Sequence, residues 1–270
     1  MLIHPLFDQL SRLGLYGMLE AFKEQQQSID IESMRFEDRL SLLIDREVSN
    51  RENRKTAMRL KQARMRQEAS VEDIDFRYSR GLDRMLFMQL SDCRWIKDRL
   101  NVLIIGPTGI GKTYLACALV HQACRKGYRS QYYRLPRLLQ ELMIAKSDGR
   151  YAKLIASMAK QDLIVLDDWG VSPFSREHQQ DILEILEDRY ARRSTLVTSQ
   201  LPVSEWHKIQ EDPTLADAIL DRMVHNAHKV VLKGDSMRRT RSPLHLDSVT
   251  SSNNDSLDMN RCSQPAVPAG

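Results

Sequence analysis

The run Gly106-Pro107-Thr108-Gly109-Ile110-Gly111-Lys112-Thr113 brings together the residue types that a nucleoside triphosphate needs. Phosphate oxygens call for several N–H donors converging on them, and glycines let a loop adopt the dihedrals that turn those donors inward. Gly106, Gly109 and Gly111 supply that freedom, Pro107, Thr108 and Ile110 fill the loop, and Tyr114 follows it. Lys112 is spaced to pair with the β and γ phosphates, and the Thr113 hydroxyl to bind Mg²⁺. A glycine turn between a strand and a helix is the bland alternative. It is disfavoured because an apolar run, 102–105, leads straight into the loop and a helical pattern follows over 112–126.

A second cluster completes such chemistry. Leu163-Ile164-Val165-Leu166 ends on Asp167-Asp168, and a divalent cation needs an outer carboxylate while an attacking water needs orientation. Asp167 is the Mg²⁺ partner and Asp168 the group that polarises water. Two solvated acids capping a strand would be the better reading of this pair without the loop upstream.

The third feature is charge. Arg51, Arg54, Lys55, Arg59, Lys61, Arg64 and Arg66 are accompanied by the single acid Glu52 between positions 51 and 66. At about 100° per residue, all but Arg64 fall within an arc of roughly 160° on a helix. Duplex phosphates attract such a face without reading sequence, and the attraction weakens steeply with salt. From charge alone, DNA binding and a merely solvated helix face stand equal.

The elements that must position these residues follow from periodicity. From Pro5 to about Arg99 apolar residues recur at three- and four-residue steps among charges, which predicts helices, with a loop over 69–75. Beyond Asn101 strands and helices alternate. Strands are expected at 102–105, 130–134, 162–166 and 194–199, with a closing strand at 229–232. Helices are expected at 112–126, 135–145, 175–192 (N-capped by Ser175), 203–210 and 215–224. Alternation of this kind means an α/β fold, a parallel sheet covered by helices on both faces, preceded by a small all-helical N-terminal domain. The expected division is 1–75 for that domain, 76–241 for the nucleotide-binding domain with a lead-in helix at 76–99, and 242–270 for a disordered tail rich in Ser, Asn, Pro and Asp.

The 270 residues suffice for a large domain and a smaller one, and the net charge of +4 permits nucleic-acid contact without demonstrating it. His4, Pro5 and Asp8 interrupt the start where a signal peptide would be apolar, and no apolar run approaches the roughly 20 residues that span a bilayer. No membrane segment is expected, and the location is cytoplasmic. Cys93, Cys117, Cys124 and Cys262 show no metal spacing and read as free thiols; Cys117 and Cys124 share a helix face as core residues. His225 and His228 lack a third ligand, and Trp169 is read as packing against the sheet rim.

The sequence resembles the AAA+ ATPases of the IstB and DnaC type, which are insertion-sequence transposition helpers and replicative helicase loaders, and within that group IstB most. The resemblance covers the chain to about Arg241. It is carried by the helical lead-in, Gly-Pro-Thr-Gly-Ile-Gly-Lys-Thr-Tyr-Leu-Ala, Val-Leu-Asp-Asp-Trp-Gly, Leu-Val-Thr-Ser-Gln-Leu-Pro-Val-Ser-Glu-Trp and Leu-Asp-Arg-Met-Val-His.

The resemblance implies an AAA+ fold, ATP and Mg²⁺, oligomers with ATP at subunit interfaces, double-stranded DNA as ligand and a transposase as partner. It further implies that Ser199-Gln200 supplies a water-positioning side chain, with Gln200 where many relatives carry Asn, and that Asp168 stands where Glu is common. Slow or partner-dependent hydrolysis follows. Arg222 matches the arginine finger that reaches a neighbouring subunit's nucleotide, and Arg238 an arginine that senses nucleotide from the C-terminal side. It raises Arg51, Arg54, Lys55, Arg59, Lys61 and Arg66 from a charged face to a DNA-binding set. Two rivals stay open: a helicase loader that grips a hexameric helicase and prefers single strands, and a small-molecule kinase in which the basic helix is only solvated.

Overall fold

The structure, a computed structural model, describes residues 5–28 and 33–237. The expected tail, Arg238 and Cys262 lie outside the described residues.

Helices α1 (Pro5–Arg12), α2 (Tyr16–Gln27) and the 28-residue α3 (Phe36–Ala63) open the chain. The α2 and α3 helices cross closely at Gly17, where a Cβ would meet the Arg46 carbonyl and the Glu47 Cα at 2.7 Å. Glu47 is buried there and accepts from the N–H groups of Gly17 (2.8 Å) and Met18 (3.2 Å) and from Arg51 (2.6 Å), which ties the first turn of α2 to the middle of α3. Arg64, in the left-handed region at φ 50°, stops α3.

The expected lead-in helix over 76–99 is not one helix. Irregular chain runs from Arg64 to Asp83, well beyond the loop placed at 69–75. Then come α4 (Arg84–Ser91), capped by the Asp83 carboxylate, and the single turn α5 (Arg94–Lys97), separated by Cys93 at φ 59°. Packing also runs across residue 75: Ala63, Ala69 and Ile74 are buried in the same core as Val102, Leu115 and Cys124. The end of α3 is thereby built into the nucleotide-binding domain.

Five strands form the sheet: β1 (Asn101–Ile105), β2 (Ser130–Arg134), β3 (Leu163–Trp169), β4 (Ser194–Ser199) and β5 (Ala227–Val231). Their order is β2-β3-β4-β1-β5 and every pairing is parallel. Uninterrupted apolar runs make β1 and the start of β3, which are covered on both faces, while the edge strands β2 and β5 carry polar residues at partly exposed positions. Val102, Ile104, Leu163, Val165 and Leu196 enter one core with α6 (Lys112–Arg125). Leu103, Ile105, Ile164, Leu166 and Val197 enter a second with α7 (Leu135–Ser147), α8 (Tyr151–Ala159), α9 (Arg176–Arg189) and α10 (Pro213–Val224).

Ser175 caps α9 by accepting from the His178 N–H. The helix expected over 203–210 is only a 3-10 turn, Val203–Glu205, and α8 was not foreseen. Cys117 and Cys124 are core residues as expected, and Trp169 is fully buried against Phe174 and Trp206 at the sheet rim.

Candidate functional site

The loop 106–111 leaves the C-terminal end of β1 and opens α6, at the sheet edge where parallel α/β folds hold ligands. Gly111 sits at φ 101°, where a side chain is strained, and a Cβ there would also push on Arg80 Nη1 at 2.8 Å, so the cradle favours glycine. The buried Lys112 donates to the carbonyls of Gly106 (2.7 Å) and Pro107 (2.9 Å), holding its ammonium at the loop mouth. The Met237 N–H bonds the Gly109 carbonyl at 3.0 Å, so the chain after β5 closes over the loop.

The acids are set by strand geometry. Asp167 follows Leu163 and Val165 on the α6 face of β3, and the period-two rule brings Tyr132 of β2 and Thr198 of β4 to that same face. Asp167, fully buried, accepts from the hydroxyls of Tyr132 and Thr198 and from Thr113 at 3.0 and 3.2 Å. Burial, and then the bond to Asp167, raises the Tyr132 hydroxyl well above the usual phenol range, so it stays a donor.

Between Leu166 and Trp169 the β3/β4 register shifts. Asp168 takes φ 66° in this bulge, its N–H bonds Thr198 Oγ1 at 3.2 Å, and its carboxylate meets Arg134 Nε at 2.7 Å. The bulge presents two successive carboxylates at one rim, where a regular strand would send the second to the opposite core.

Gln200 is at the same rim: the Thr108 hydroxyl donates to its Oε1 at 2.6 Å, whereas Ser199 is buried and spends its hydroxyl on the Trp169 carbonyl. Of that pair, Gln200 is therefore the one available to a ligand. Thr108, Gly109, Gly111, Lys112, Thr113, Tyr114, Asp168 and Gln200 line one cavity of about 570 Å³. A hydroxyl facing a hard carboxylate oxygen, Thr113 with Asp167, beside a lysine and a glycine cradle, fits a nucleotide-bound Mg²⁺.

Arg222 is not in this cavity. Its backbone carbonyl accepts from the Asn101 side chain at the start of β1, and its guanidinium pairs with Glu187 at 2.6 Å and the Ala218 carbonyl at 2.9 Å. At about 3.3 Å per residue, the length of β1 separates it from the loop by about 13 Å.

The basic set divides. Arg51, Arg54, Lys55, Arg59 and Lys61 do lie on α3, with Arg51 paired to Glu47 and Arg54 over the Tyr16 ring. Arg66 does not, because α3 ends at Ala63. Its guanidinium instead approaches Asp167 (3.9 Å) and Asp168 (3.8 Å) and lines the nucleotide cavity. Sequence reasoning missed Arg80, Tyr132, Arg134 and Thr198; only the alternation of polar with apolar residues near the ends of neighbouring strands hinted at the last three.

A family model described as IstB-like ATP binding protein matches residues 8–244. An insertion sequence ATP-binding protein of Sinorhizobium fredii, y4pL, is 51% identical over 239 residues, covering 88% of this chain and 98% of that protein. The insertion sequence IS21 ATP-binding protein of Pseudomonas aeruginosa is 32% identical, covering 87% and 89%. Among solved structures, DnaI matches with a TM-score of 0.53 at 22% identity, covering 61% of this chain and 91% of that one. AMPPCP-bound DnaA from Aquifex aeolicus matches with a TM-score of 0.53 at 16% identity, covering 70% and 57%. These structural likenesses establish the AAA+ fold, with its parallel sheet and phosphate loop. With the family match spanning both the basic helix and the carboxylate rim, the chain belongs to the IstB-like ATP binding proteins.

Proposed function

We propose that this protein is a Mg²⁺-dependent ATPase that oligomerises on double-stranded DNA and assists a transposase in selecting and attacking its target, working in the cytoplasm. The observation that carries the ATPase reading is the convergence of Lys112, Thr113, Asp168 and Gln200 on one cavity at the loop, with the buried Asp167 bonded by the Thr113 hydroxyl behind it. Lys112 meets the β and γ phosphates, Thr113 and Asp167 hold the metal, and Asp168 with Gln200 orients the attacking water. The bound metal supplies neutralisation of the charge that develops on the phosphates. The Asp168 carboxylate is engaged by Arg134, which supports slow hydrolysis until that pair opens.

Assembly rests on Arg222, which the resemblance matches to an arginine that reaches a neighbouring subunit's nucleotide; its distance from its own loop is compatible with that role, and the Glu187 pair would have to open. DNA binding is supported by the exposed cations of α3. The transposase as partner rests on the insertion sequence relatives.

Sedimentation with a long duplex, with and without ATP and Mg²⁺, tests the reading beside Lys112→Ala and Arg222→Ala. Wild type forms large ATP-dependent complexes and both variants fail to. A protein that stays monomeric and ignores duplex DNA at low salt refutes it. Preference for single strands over duplex would favour a helicase loader.

A further inference from the structure

Beside the nucleotide cavity lies a second one, of about 390 Å³, lined by Arg64, Arg66, Arg134 and Arg137 with Tyr132, Tyr133, Leu138 and Glu141. Four guanidinium groups against one carboxylate make it a strongly cationic concavity. Two of the four, Arg66 and Arg134, also line the nucleotide cavity, where they face Asp168, and Arg66 faces Asp167 as well. Arg64 and Arg137 are exposed, and among the described residues neither forms an ion pair. The cavity is continuous in sequence with α3: the left-handed turn at Arg64 that stops the helix carries the chain from Lys61 into this concavity and on to Arg66.

Guanidinium groups converging in excess of the carboxylates around them, with two of the four free of any ion pair among the described residues, are a receptor for phosphate oxygens, which take arginine bidentately. We propose that this arginine cavity is a second anion site, seating a phosphate of the DNA backbone, and that its occupant draws Arg66 and Arg134 away from Asp167 and Asp168. The inference rests on the DNA-binding reading for the identity of the occupant, though not for the existence of the site.

The energetics favour such an exchange. The Arg66 contacts at 3.8 and 3.9 Å are too long for hydrogen bonds, and its side chain is 43% exposed, so little holds it in place. Arg134 has one good bond to Asp168 but is 41% exposed, and a phosphate that takes a guanidinium bidentately offers it two such bonds in exchange. Withdrawal of both cations removes the positive charge that competes with a metal at Asp167 and with water at Asp168. The site would thus make Asp167 and Asp168 competent in response to DNA, with Arg66 and Arg134 as positioning residues.

The test uses Arg64→Ala/Arg137→Ala, which alters the second cavity and neither the nucleotide cavity nor the α3 face, with Arg137→Lys as the conservative control. Binding of a fluorescent ATP analogue, unchanged from wild type, verifies that the variant is folded. Duplex binding by fluorescence anisotropy across a salt series and DNA-stimulated hydrolysis form one arm. The thermal shift given by inorganic phosphate, with the loop site already saturated by the ATP analogue and Mg²⁺, forms the other.

The expected result is a salt slope reduced by about one for the loss of one seated phosphate. Stimulation by DNA and the phosphate-induced shift are lost with it, and both return in part with lysine. A phosphate shift lost in the variant while duplex affinity, salt slope and stimulation match wild type means that the site takes a free phosphate, and overturns the backbone assignment. Equal behaviour of variant and wild type in both arms overturns the site itself. If wild type binds no duplex at all, the DNA-binding function fails, and the phosphate arm still decides the site.

Discussion

Thr198 is the sharpest test of how the carboxylate rim is held. Its buried hydroxyl donates to Asp167 and accepts from the Asp168 N–H at 3.2 Å, so one oxygen fixes both acids. Thr198→Val keeps the shape and removes that oxygen. A hydrogen bond to a charged group contributes about 1.5–3 kcal/mol, and a buried N–H left unpaired costs about 1–3 kcal/mol. Exchange of hydroxyl for methyl returns about 1 kcal/mol of apolar burial. The net expectation is a loss of about 3 kcal/mol.

Thr198→Ser retains the hydroxyl and forfeits one methyl group, for about 1 kcal/mol. Urea unfolding of the nucleotide-free protein measures both, followed by circular dichroism and by tryptophan fluorescence, since Trp169 lies two residues from Asp167 on β3. Coincident transitions license the comparison. Mg²⁺-dependent nucleotide affinity should fall with valine and recover with serine. The reasoning is refuted if valine costs less than about 1 kcal/mol or if serine costs as much as valine.

Three further outcomes are expected. Gly111→Ala forces a side chain to φ 101° and into Arg80, so it abolishes nucleotide-analogue binding in a titration and lowers stability by about 1–3 kcal/mol. Arg189, whose side chain donates to the carbonyls of Met158 (2.7 Å), Gln161 (2.9 Å) and Ser194 (2.5 Å), ties α8 and α9 to the sheet. Burial pulls it down to about 9, which leaves it cationic at neutral pH, and Arg189→Met strands those acceptors at a cost of about 3 kcal/mol in urea unfolding. Burial pushes the Glu47 carboxyl up, but Arg51 and the Met18 and Gly17 N–H groups outweigh it and hold the group below its usual 4.5. The folded state therefore gains stability above about pH 4.5 and loses it as pH falls through the lowered value, which Glu47→Gln should flatten in helicity measured against pH.

Much of this architecture is legible in the sequence. The phosphate loop is readable because its donors belong to consecutive residues, and β1 and β4 are readable nearly to the residue because strands buried on both faces are continuous runs of apolar or small residues; the edge strand β2 matches its expected bounds through its paired tyrosines instead. Failures occurred where the deciding contact was remote. The 76–99 segment has helical periodicity, yet Cys93 adopts a left-handed conformation and the chain before Asp83 packs irregularly against the loop through Arg80, which bonds the Ile110 carbonyl at 3.4 Å. The apolar spacing of α8 is present in Leu154, Ile155 and Met158, but the sequence reading assigns no element between 145 and 162.

Local order in the sequence thus determined the glycine-rich loop, the acids at the end of β3 and the alternation that makes a parallel sheet, because each depends on neighbours in the chain or on a short repeat. Tertiary structure alone decided what surrounds the carboxylates. The β2/β3 register sets Arg134 opposite Asp167, a bulge turns Asp168 to the same rim, and the end of α3 delivers Arg66 from about a hundred residues away in sequence. No spacing rule spans such separations, since strand register and the point where a helix stops are fixed by packing of both cores at once. That is why Arg66, grouped with a DNA-binding face by its charge, belongs to the nucleotide site by its position.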